Sequence, residues 1–277
     1  MKRSIGEVIF DNINIIILII LSILTLYPML HVIFASFSHP DELIRHQGIM
    51  IYPQGFSLTA YRVVLNNNLI LSGYINTIIY VGVGTSLSLL LTMFCAYVLS
   101  RSNFYWKNPI LAVILLTMFV SGGMIPMYLT VEALGLIDTR WAIILPTAIS
   151  TYNMIIMRTG FASVSISLEE SAKLDGANDF TILFRIFTPI SKPIIAVIIL
   201  YYGVANWNSW FNAMIYLRDR NLYPLQLLLR EILILNLTAE MSGNIDYMDI
   251  ERVGESIKYT TIVVATVPVL MIYPFLQ

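Results

Sequence analysis

The sequence predicts an all-α polytopic membrane protein with six transmembrane helices, and composition and charge spacing are the two observations behind this prediction. Hydrophobic residues make up 57% of the 277 residues and charged residues only 12%, with a mean hydropathy of +0.77. A soluble globular domain carries about twice that charged share. The charged residues leave six long uncharged runs, at 12–40, 63–100, 108–131, 141–157, 193–217 and 259–277. Because about 17 to 25 residues of helix cross a hydrocarbon core, each run is long enough to span a membrane.

The runs differ in what they predict locally. The first is expected to remain as an anchor, because its apolar stretch is longer than a signal-peptide core and the residues at 34–36 form a poor cleavage site. The second holds small residues at 82, 84, 86 and 88, which suits close helix packing but is also common in membrane helices. The fourth is the shortest and contains Pro146, so we expect a kink there. The sixth reaches Gln277, and we expect the protein to continue beyond it.

Six retained spans place both termini on one side of the membrane. The predicted inner and outer segments carry the same total number of Lys and Arg residues, so the count leaves the orientation open. The concentration of basic residues in the short loops does indicate an orientation. The 100–108 loop carries Arg101 and Lys107 with no acidic residue, whereas the 132–140 loop mixes both signs. Since short basic loops face the cytoplasm, we predict a bacterial inner or plasma membrane protein with both termini cytoplasmic.

The segment 158–192 is the longest predicted inner loop and has the pattern of a helix-turn-helix. Ser167 and Glu170 have the spacing of a capping box, which predicts a short helix from Leu168. Asp175-Gly176 then predicts its end, because glycine takes the left-handed conformation at a helix terminus. A second helix is predicted to present one apolar stripe, at Phe180, Leu183, Phe184 and Phe187. The segment is either an amphipathic loop on the membrane face or a docking surface for a cytoplasmic partner.

This loop resembles the signature of ABC importer permeases. The matching residues are Glu170, Ser171, Ala172, Gly176, Ile186, Thr188 and Pro189, at the spacings of the family's Glu-Ala-Ala, Gly, Ile and Leu-Pro. Two of them depart from the family, since Ser171 stands for the second Ala and Thr188 for the Leu. Further similar stretches are Asn76-Thr77, Ala96-Tyr97, Leu99-Ser100-Arg101, Gly122-Gly123, Ile125-Pro126, Leu134-Gly135-Leu136, Trp207-Asn208 and Trp210-Phe211. These narrow the resemblance to the carbohydrate-uptake, MalG-like branch, closest to oligosaccharide permeases of the LplC and YtcP type.

The resemblance implies a type I ABC importer permease fold. The whole chain, 1–277, would be a single transmembrane permease domain with a cytoplasmic coupling-helix loop at 163–192 and an outer loop at 218–258. Carried over by position, the loop at 168–189 would dock on an ATPase. The residues implied in this coupling loop are Glu170, Ala172, Asp175, Gly176, Ala177, Ile186 and Pro189.

The same resemblance implies the partners. They would be a second homologous permease, a dimer of ATP-binding subunits, an extracellular solute-binding lipoprotein, an oligosaccharide and membrane lipid. ATP and magnesium would bind to the ATPase, and this chain would bind no cofactor. The chain would therefore be the permease subunit of an ATP-driven oligosaccharide importer and no enzyme itself.

The residues also weigh against other classes of function. No Asp, Glu, Lys or Arg lies inside the six runs, which disfavours the main alternative of an ion-coupled secondary carrier or channel. The sequence has no phosphate loop and no metalloprotease or serine-hydrolase motif, which disfavours an intramembrane enzyme. A single cysteine and three histidines near the first span predict no metal site. The net charge of −1 gives no basic field for a nucleic acid.

Polar residues in the fourth and fifth runs are the candidates for a substrate path. They are Asn153, Asn206, Trp207, Asn208 and Trp210. Two amides and two indoles within five residues are suited to stacking on sugar faces and bonding to hydroxyl groups. The alternatives are helix packing and an interfacial aromatic belt, and the sequence leaves these open.

The outer segments suit the reception of a binding protein. The stretches 55–66 and 223–236 are predicted to be short helices at the membrane surface, the second of them rich in leucine. The 218–258 loop holds five basic and seven acidic residues, which suits salt-sensitive docking of a charged partner.

Overall fold

The computed structural model describes residues 5–46, 48–101, 103–235 and 247–276. Within these ranges the regular structure is helical, apart from an isolated antiparallel bridge between Ser38 and Phe56. The helices in chain order are α1 Ile5–Ser36, α2 Pro40–Arg45, α3 Thr59–Leu65, α4 Asn68–Ser100, α5 Lys107–Leu116, α6 Met124–Ala133, α7 Trp141–Ile144, α8 Thr151–Ala162, α9 Ile166–Leu174, α10 Asp179–Ile182, α11 Thr188–Ile190, α12 Lys192–Trp207, α13 Phe211–Tyr216, α14 Leu225–Leu235 and α15 Tyr247–Leu276. A π-helical turn, Leu183–Phe187, joins α10 to α11, and a 3₁₀ turn, Arg220–Leu222, precedes α14.

Two of the described helices are long and apolar enough to cross a membrane alone, over Gly6–Ser36 in α1 and Asn68–Ser100 in α4. A third candidate is the pair Asp179–Ile190 and Lys192–Trp207, which bends by 90° at Ser191. Pro193 lies in the first turn of the second member, where its missing amide hydrogen costs nothing. The bend separates the predicted inner loop from the fifth uncharged run, as the prolines there indicated.

The third, fourth and fifth uncharged runs are interrupted helices, where the sequence predicted spans. The third breaks at 117–123, where Gly123 has a φ of 85° that an L side chain rarely adopts. The fourth breaks at 145–150, around the proline that predicted a kink. The fifth breaks at 208–210. The uncharged runs therefore mark apolar segments correctly, but charge spacing alone does not reveal where the helix within them stops.

The chain divides into two compact units. The first comprises residues 1–68 with 231–267. Its helix α1 is apolar on all sides and leaves its span uncovered by protein, which suits contact with lipid. At its end Ala35, Leu43 and Met50 form a small buried cluster, and the Thr260 hydroxyl donates to the Ser36 carbonyl oxygen at 3.3 Å.

The second unit comprises residues 69–230 with 268–277. One buried cluster lies around Met93, Phe161, Leu183, Phe187 and Ile198, where α4, α8 and α12 meet the inner loop. Another lies around Tyr80, Ile143, Ala213, Leu217 and Leu227. The unit thus has a core at each end of α4, and the polar side chains considered below lie in and between them.

The predicted helices in the outer segments are present, as α3 and α14. In α14 Leu225, Leu227 and Leu228 are buried, so this helix packs into the protein more than a surface helix does. Residue 236, the predicted end of that stretch, lies outside the described residues.

Candidate functional site

The first short helix of the predicted inner loop is α9, and it begins at Ile166, two residues earlier than the capping box indicated. Ser165 is the N-cap of this helix, and Ser167 lies inside it. No side-chain capping bond forms, because the two serine hydroxyls bond to each other at 2.8 Å. The predicted capping box of Ser167 with Glu170 is therefore wrong, although a helix is present there.

The turn at the end of α9 is the one that the glycine predicted. Gly176 has a φ of 82°. Its amide donates to the Lys173 carbonyl oxygen at 3.0 Å, and the Ala177 amide donates to the Ala172 carbonyl oxygen at 2.9 Å. These two bonds form a Schellman motif, which satisfies the last carbonyl groups of the helix. The next helix starts at once, since the Asn178 side chain accepts a hydrogen bond from the Thr181 amide at 2.8 Å.

The apolar stripe of the second helix is divided by the π-helical turn. Leu183 and Phe187 are fully buried, but Phe180 and Phe184 are exposed and meet Phe94 edge-on, with ring centroids 6.1 and 6.2 Å apart. A π turn adds a residue to one turn and so rotates the following face. The prediction of a single stripe at four positions is therefore wrong for this segment.

The residues predicted for coupling are mostly on the surface of this loop. Glu170, Asp175, Gly176 and Pro189 are exposed, whereas Ala172 faces the buried cluster. Ala177 and Ile186 are partly buried and pack against the same cluster. The exposed side of the turn also carries two apolar side chains. Leu174, at 89% exposure, was not singled out from the sequence, and Phe180, at 65%, was predicted only as part of the apolar stripe. Leucine just before the turn glycine gave no periodic signal.

A buried ion pair holds α9 against the end of α4. The Arg101 guanidinium contacts the Glu169 carboxylate at 2.5 Å, and their side chains are 13% and 8% exposed. Lys173 binds the other carboxylate oxygen at 2.7 Å. Burial raises the pKa of the Glu169 carboxyl, but the hydrogen bonds and positive charges of Lys173 and Arg101 outweigh it and hold the pKa below its usual range. The sequence did not single out Glu169, because the residue that matches the family signature is its neighbour Glu170.

A cavity of about 870 Å³, whose lining combines amide, hydroxyl and phenol groups with apolar side chains, lies between the fourth and fifth runs of the second unit. Four of the five residues proposed for the substrate path line it, namely Asn153, Asn206, Asn208 and Trp210. The fifth, Trp207, instead lines a separate, mostly apolar cavity of about 260 Å³. The break between α12 and α13 turns the two indoles in different directions. Other lining residues that the sequence reasoning did not propose as a path are Thr147, Ser150, Tyr152, Tyr201, Tyr202 and Asn212.

Hydrogen bonds fix the inner wall of this cavity. The Asn206 amide donates to the Thr85 hydroxyl at 3.2 Å, and Gly84 lets it approach α4, since a Cβ there would lie 3.0 Å from its Nδ2. The Tyr202 hydroxyl bonds to Thr92 at 2.7 Å and accepts from the Ser150 amide at 3.0 Å. The wall is therefore preorganised. Among the described residues, the Asn208 side-chain amide bonds only to the Val204 carbonyl oxygen of its own helix, and Asn208 is exposed.

The described lining of this cavity is uncharged, and one of its lining residues, Trp210, contacts an arginine. The Arg230 guanidinium stacks over the Trp210 ring at 3.9 Å and donates to the Met214 sulfur at 3.1 Å. Such a cation–π contact holds the positive charge against the Trp210 ring.

A wide cavity lined partly by amide and phenol groups, together with an exposed two-helix loop between apolar helices, is consistent with a solute permease. The family model for the binding-protein-dependent transport system inner membrane component matches residues 55–211. The chain belongs to this family, and the predicted resemblance to ABC importer permeases is confirmed.

Individual relatives cover nearly the whole chain. It is 41% identical to the polygalacturonan/rhamnogalacturonan transport system permease protein YtcP of Bacillus subtilis, over 97% of this chain and 93% of the relative. It is 39% identical to protein LplC of the same organism, over 97% and 90% of the two chains. A crystal structure of a bacterial ABC transporter involved in the import of the acidic polysaccharide alginate matches with a TM-score of 0.91 and 31% identity, over 100% of this chain and 98% of that one.

These matches decide the class of the protein. The prediction of an all-α polytopic permease fold is confirmed, and so is the prediction of a transport subunit with no catalytic site of its own. The site residues of the coupling loop and of the substrate path remain predictions.

Proposed function

We infer that the chain is the permease subunit of an ATP-driven importer of oligosaccharides. It pairs with a second, homologous permease, docks on a dimer of ATP-binding subunits through the loop at 168–189, and receives sugar from an extracellular solute-binding lipoprotein. Both termini are cytoplasmic in this proposal. ATP and magnesium bind to the ATPase. This chain contributes part of the substrate path through the membrane and the helix movement that opens the path to either side.

One observation carries the docking part of the proposal. The turn at Gly176 presents Glu170, Leu174 and Phe180 to the surface, in a segment outside the predicted spans. Exposed apolar side chains beside a charge, on a turn fixed by a Schellman motif, are typical of a preformed protein contact. ATP-driven closure of the partner dimer would move this turn and so alternate access to the cavity.

The cavity supports the substrate class. Amide and phenol groups on a fixed wall suit sugar hydroxyls, and exposed aromatic rings suit sugar faces. The substrates named for YtcP and for the alginate importer are acidic polysaccharides, and Arg230 places a cation beside this cavity. We therefore infer that acidic oligosaccharides are among the substrates.

The experiment compares the turn glycine with a glycine at the predicted outer end. The complex is reconstituted in vesicles with binding protein, and ATP hydrolysis is measured with trigalacturonate or maltotriose. Proline is incompatible with the positive φ of either Gly176, at 82°, or Gly135, at 67°. We expect Gly176→Pro to lose both co-purification of the ATPase and sugar-stimulated hydrolysis, and Gly135→Pro to keep the ATPase bound. An unaltered ATPase in the Gly176→Pro complex would refute docking at this turn, and a wild-type chain that never co-purifies with an ATPase would refute the proposed function.

A further inference from the structure

Arg101 contacts α4, α8, α9 and the π-helical turn at the inner end of the second unit. Its guanidinium binds Glu169 of α9 at 2.5 Å and the Phe161 carbonyl oxygen at the end of α8 at 3.0 Å. It stacks over the Phe187 ring at 4.1 Å, in the second helix of the inner loop. The residue itself follows directly on α4, whose last hydroxyl, Ser100, also accepts from it.

The two adjacent glutamates of α9 differ in their exposure. Glu170, which matches the family signature, is exposed, whereas Glu169 is buried and holds Arg101 and Lys173. A buried carboxylate in low dielectric requires its partner cation, so this contact tolerates little separation of α9 from α4. Glu170 is thus available to a partner, while Glu169 holds α9 against the end of α4 through Arg101.

Helix α4 connects this contact to the cavity. Arg101 adjoins its inner end, and Thr85 near its middle receives the hydrogen bond of Asn206, which lines the cavity. A displacement of α9 that carries Arg101 with it would therefore displace the wall of the cavity. Movement between distant sites needs such a contiguous series of fixed contacts, and the test of it is energetic coupling between its members.

We propose that Arg101 and Glu169 are positioning residues that transmit the movement of the inner loop to α4 and the cavity. This inference rests on the proposed function, because the movement originates in the partner ATPase. The exposed docking turn and the buried ion pair then have separate tasks. The turn binds the partner, and the ion pair makes the membrane helix follow it.

The test is a double-mutant cycle on the reconstituted complex with its binding protein. Arg101→Gln, Glu169→Gln and the double variant are compared by the sugar taken up per ATP hydrolysed, with trigalacturonate and maltotriose as probes. We expect each single variant to lower this ratio at least tenfold, the double variant to fall no further, and Arg101→Lys to recover part of the loss. Lys107→Gln removes another cation of the same inner region and serves as the matched control, with an unchanged ratio.

Co-purification of the ATPase, measured first, separates the two proposals. If wild type binds no ATPase, the proposed function fails. If the variants bind the ATPase and keep the wild-type ratio, or if the double variant loses the product of the two single effects, the transmission role is refuted. Should Arg101→Gln fail to accumulate in the membrane, Glu169→Gln decides, because it preserves the side-chain volume and removes only the charge.

Discussion

At the scale of single residues, neighbours in sequence take different roles because the backbone between them bends. Trp207 and Trp210 are three positions apart, yet only Trp210 lines the polar cavity. Trp207 is 7% exposed and its indole nitrogen has no hydrogen-bond partner among the described residues, so it acts as an apolar wall. The composition of the fifth run predicted a polar cluster but not this division, because a break after α12 redirects the chain.

Arg230 is predicted to favour acidic over neutral sugars. Replacing it in Arg230→Gln removes a positive charge held 3.9 Å above the Trp210 ring. At the short range and partial screening of this site, we expect a loss of about 1 kcal/mol for an anionic ligand, or about fivefold in apparent KM. Uptake of each sugar into vesicles measures the apparent KM for anionic trigalacturonate, which should rise, and the apparent KM for neutral maltotriose, which should not.

The matched control is Arg62→Gln, which removes an exposed arginine from α3. It should change neither apparent KM by more than twofold. Equal rises for both sugars in Arg230→Gln would contradict charge selection and would point to a packing role for the Arg230–Trp210 stack.

At the scale of elements, the turn at Asp175-Gly176 could be predicted from the sequence, but the start of α9 and the buried face of the second helix could not. Asp175-Gly176 predicted the end of α9 because the left-handed conformation is a local property of glycine. The start of α9 and the stripe of the second helix were mispredicted, because Ser165 competed with Ser167 and the π turn changed the register. Glu169 escaped prediction for a related reason, since its partner Arg101 is 68 residues away.

The outer turn at Asp138 is a second element whose order depends on one carboxylate. Its Oδ1 accepts the Arg218 amide at 2.8 Å and the Asp219 amide at 2.9 Å, and its own amide donates to the Tyr216 carbonyl oxygen at 2.9 Å. The backbone hydrogen bonds from Asp219 and Arg218 hold the pKa of the Asp138 carboxyl below its usual range. This ties the start of the 218–258 loop to the turn after α6.

The order of this turn is predicted to fall in acid. A lowered folded pKa stabilises the turn fully above the ordinary aspartate value, and the stabilisation is lost as the pH falls from about 4 through the folded pKa. Hydrogen-exchange protection of the Arg218 and Asp219 amides, corrected for intrinsic rates, should therefore be constant from pH 7 to about 5 and decline below about 4. Asp138→Asn should show weaker protection at pH 7 and no decline. Glu132→Gln, an exposed acid of the same outer region, should behave as wild type, and a pH-independent wild type would contradict the assignment.

At the scale of the whole molecule, the sequence predicted the functional class of the protein better than it predicted the residues that line the cavity. The uncharged runs hold no Asp, Glu, Lys or Arg, which disfavours an ion-coupled carrier and indicates a partner as the energy source. The cavity lies where the fourth and fifth runs break. Pro146 predicted the first of these breaks, but the hydrogen bonds of Asn206 and Tyr202 that fix the cavity wall join positions 121 and 110 residues apart, which no local pattern encodes.

The orientation of the chain is predicted to place α9 inside the cell and the end of α6 outside. Cys95 is the only cysteine, so Cys95→Ser gives a background in which single cysteines report accessibility. Ser167→Cys and Glu132→Cys both replace exposed residues, the first in α9 and the second in α6. A membrane-impermeant maleimide should label Glu132→Cys in intact cells and Ser167→Cys only in inside-out vesicles. The reason is that one predicted membrane crossing, the fourth uncharged run at 141–157, separates the two positions. Labelling of both cysteines from one side would contradict the predicted topology and would remove the 168–189 loop from the reach of a cytoplasmic ATPase.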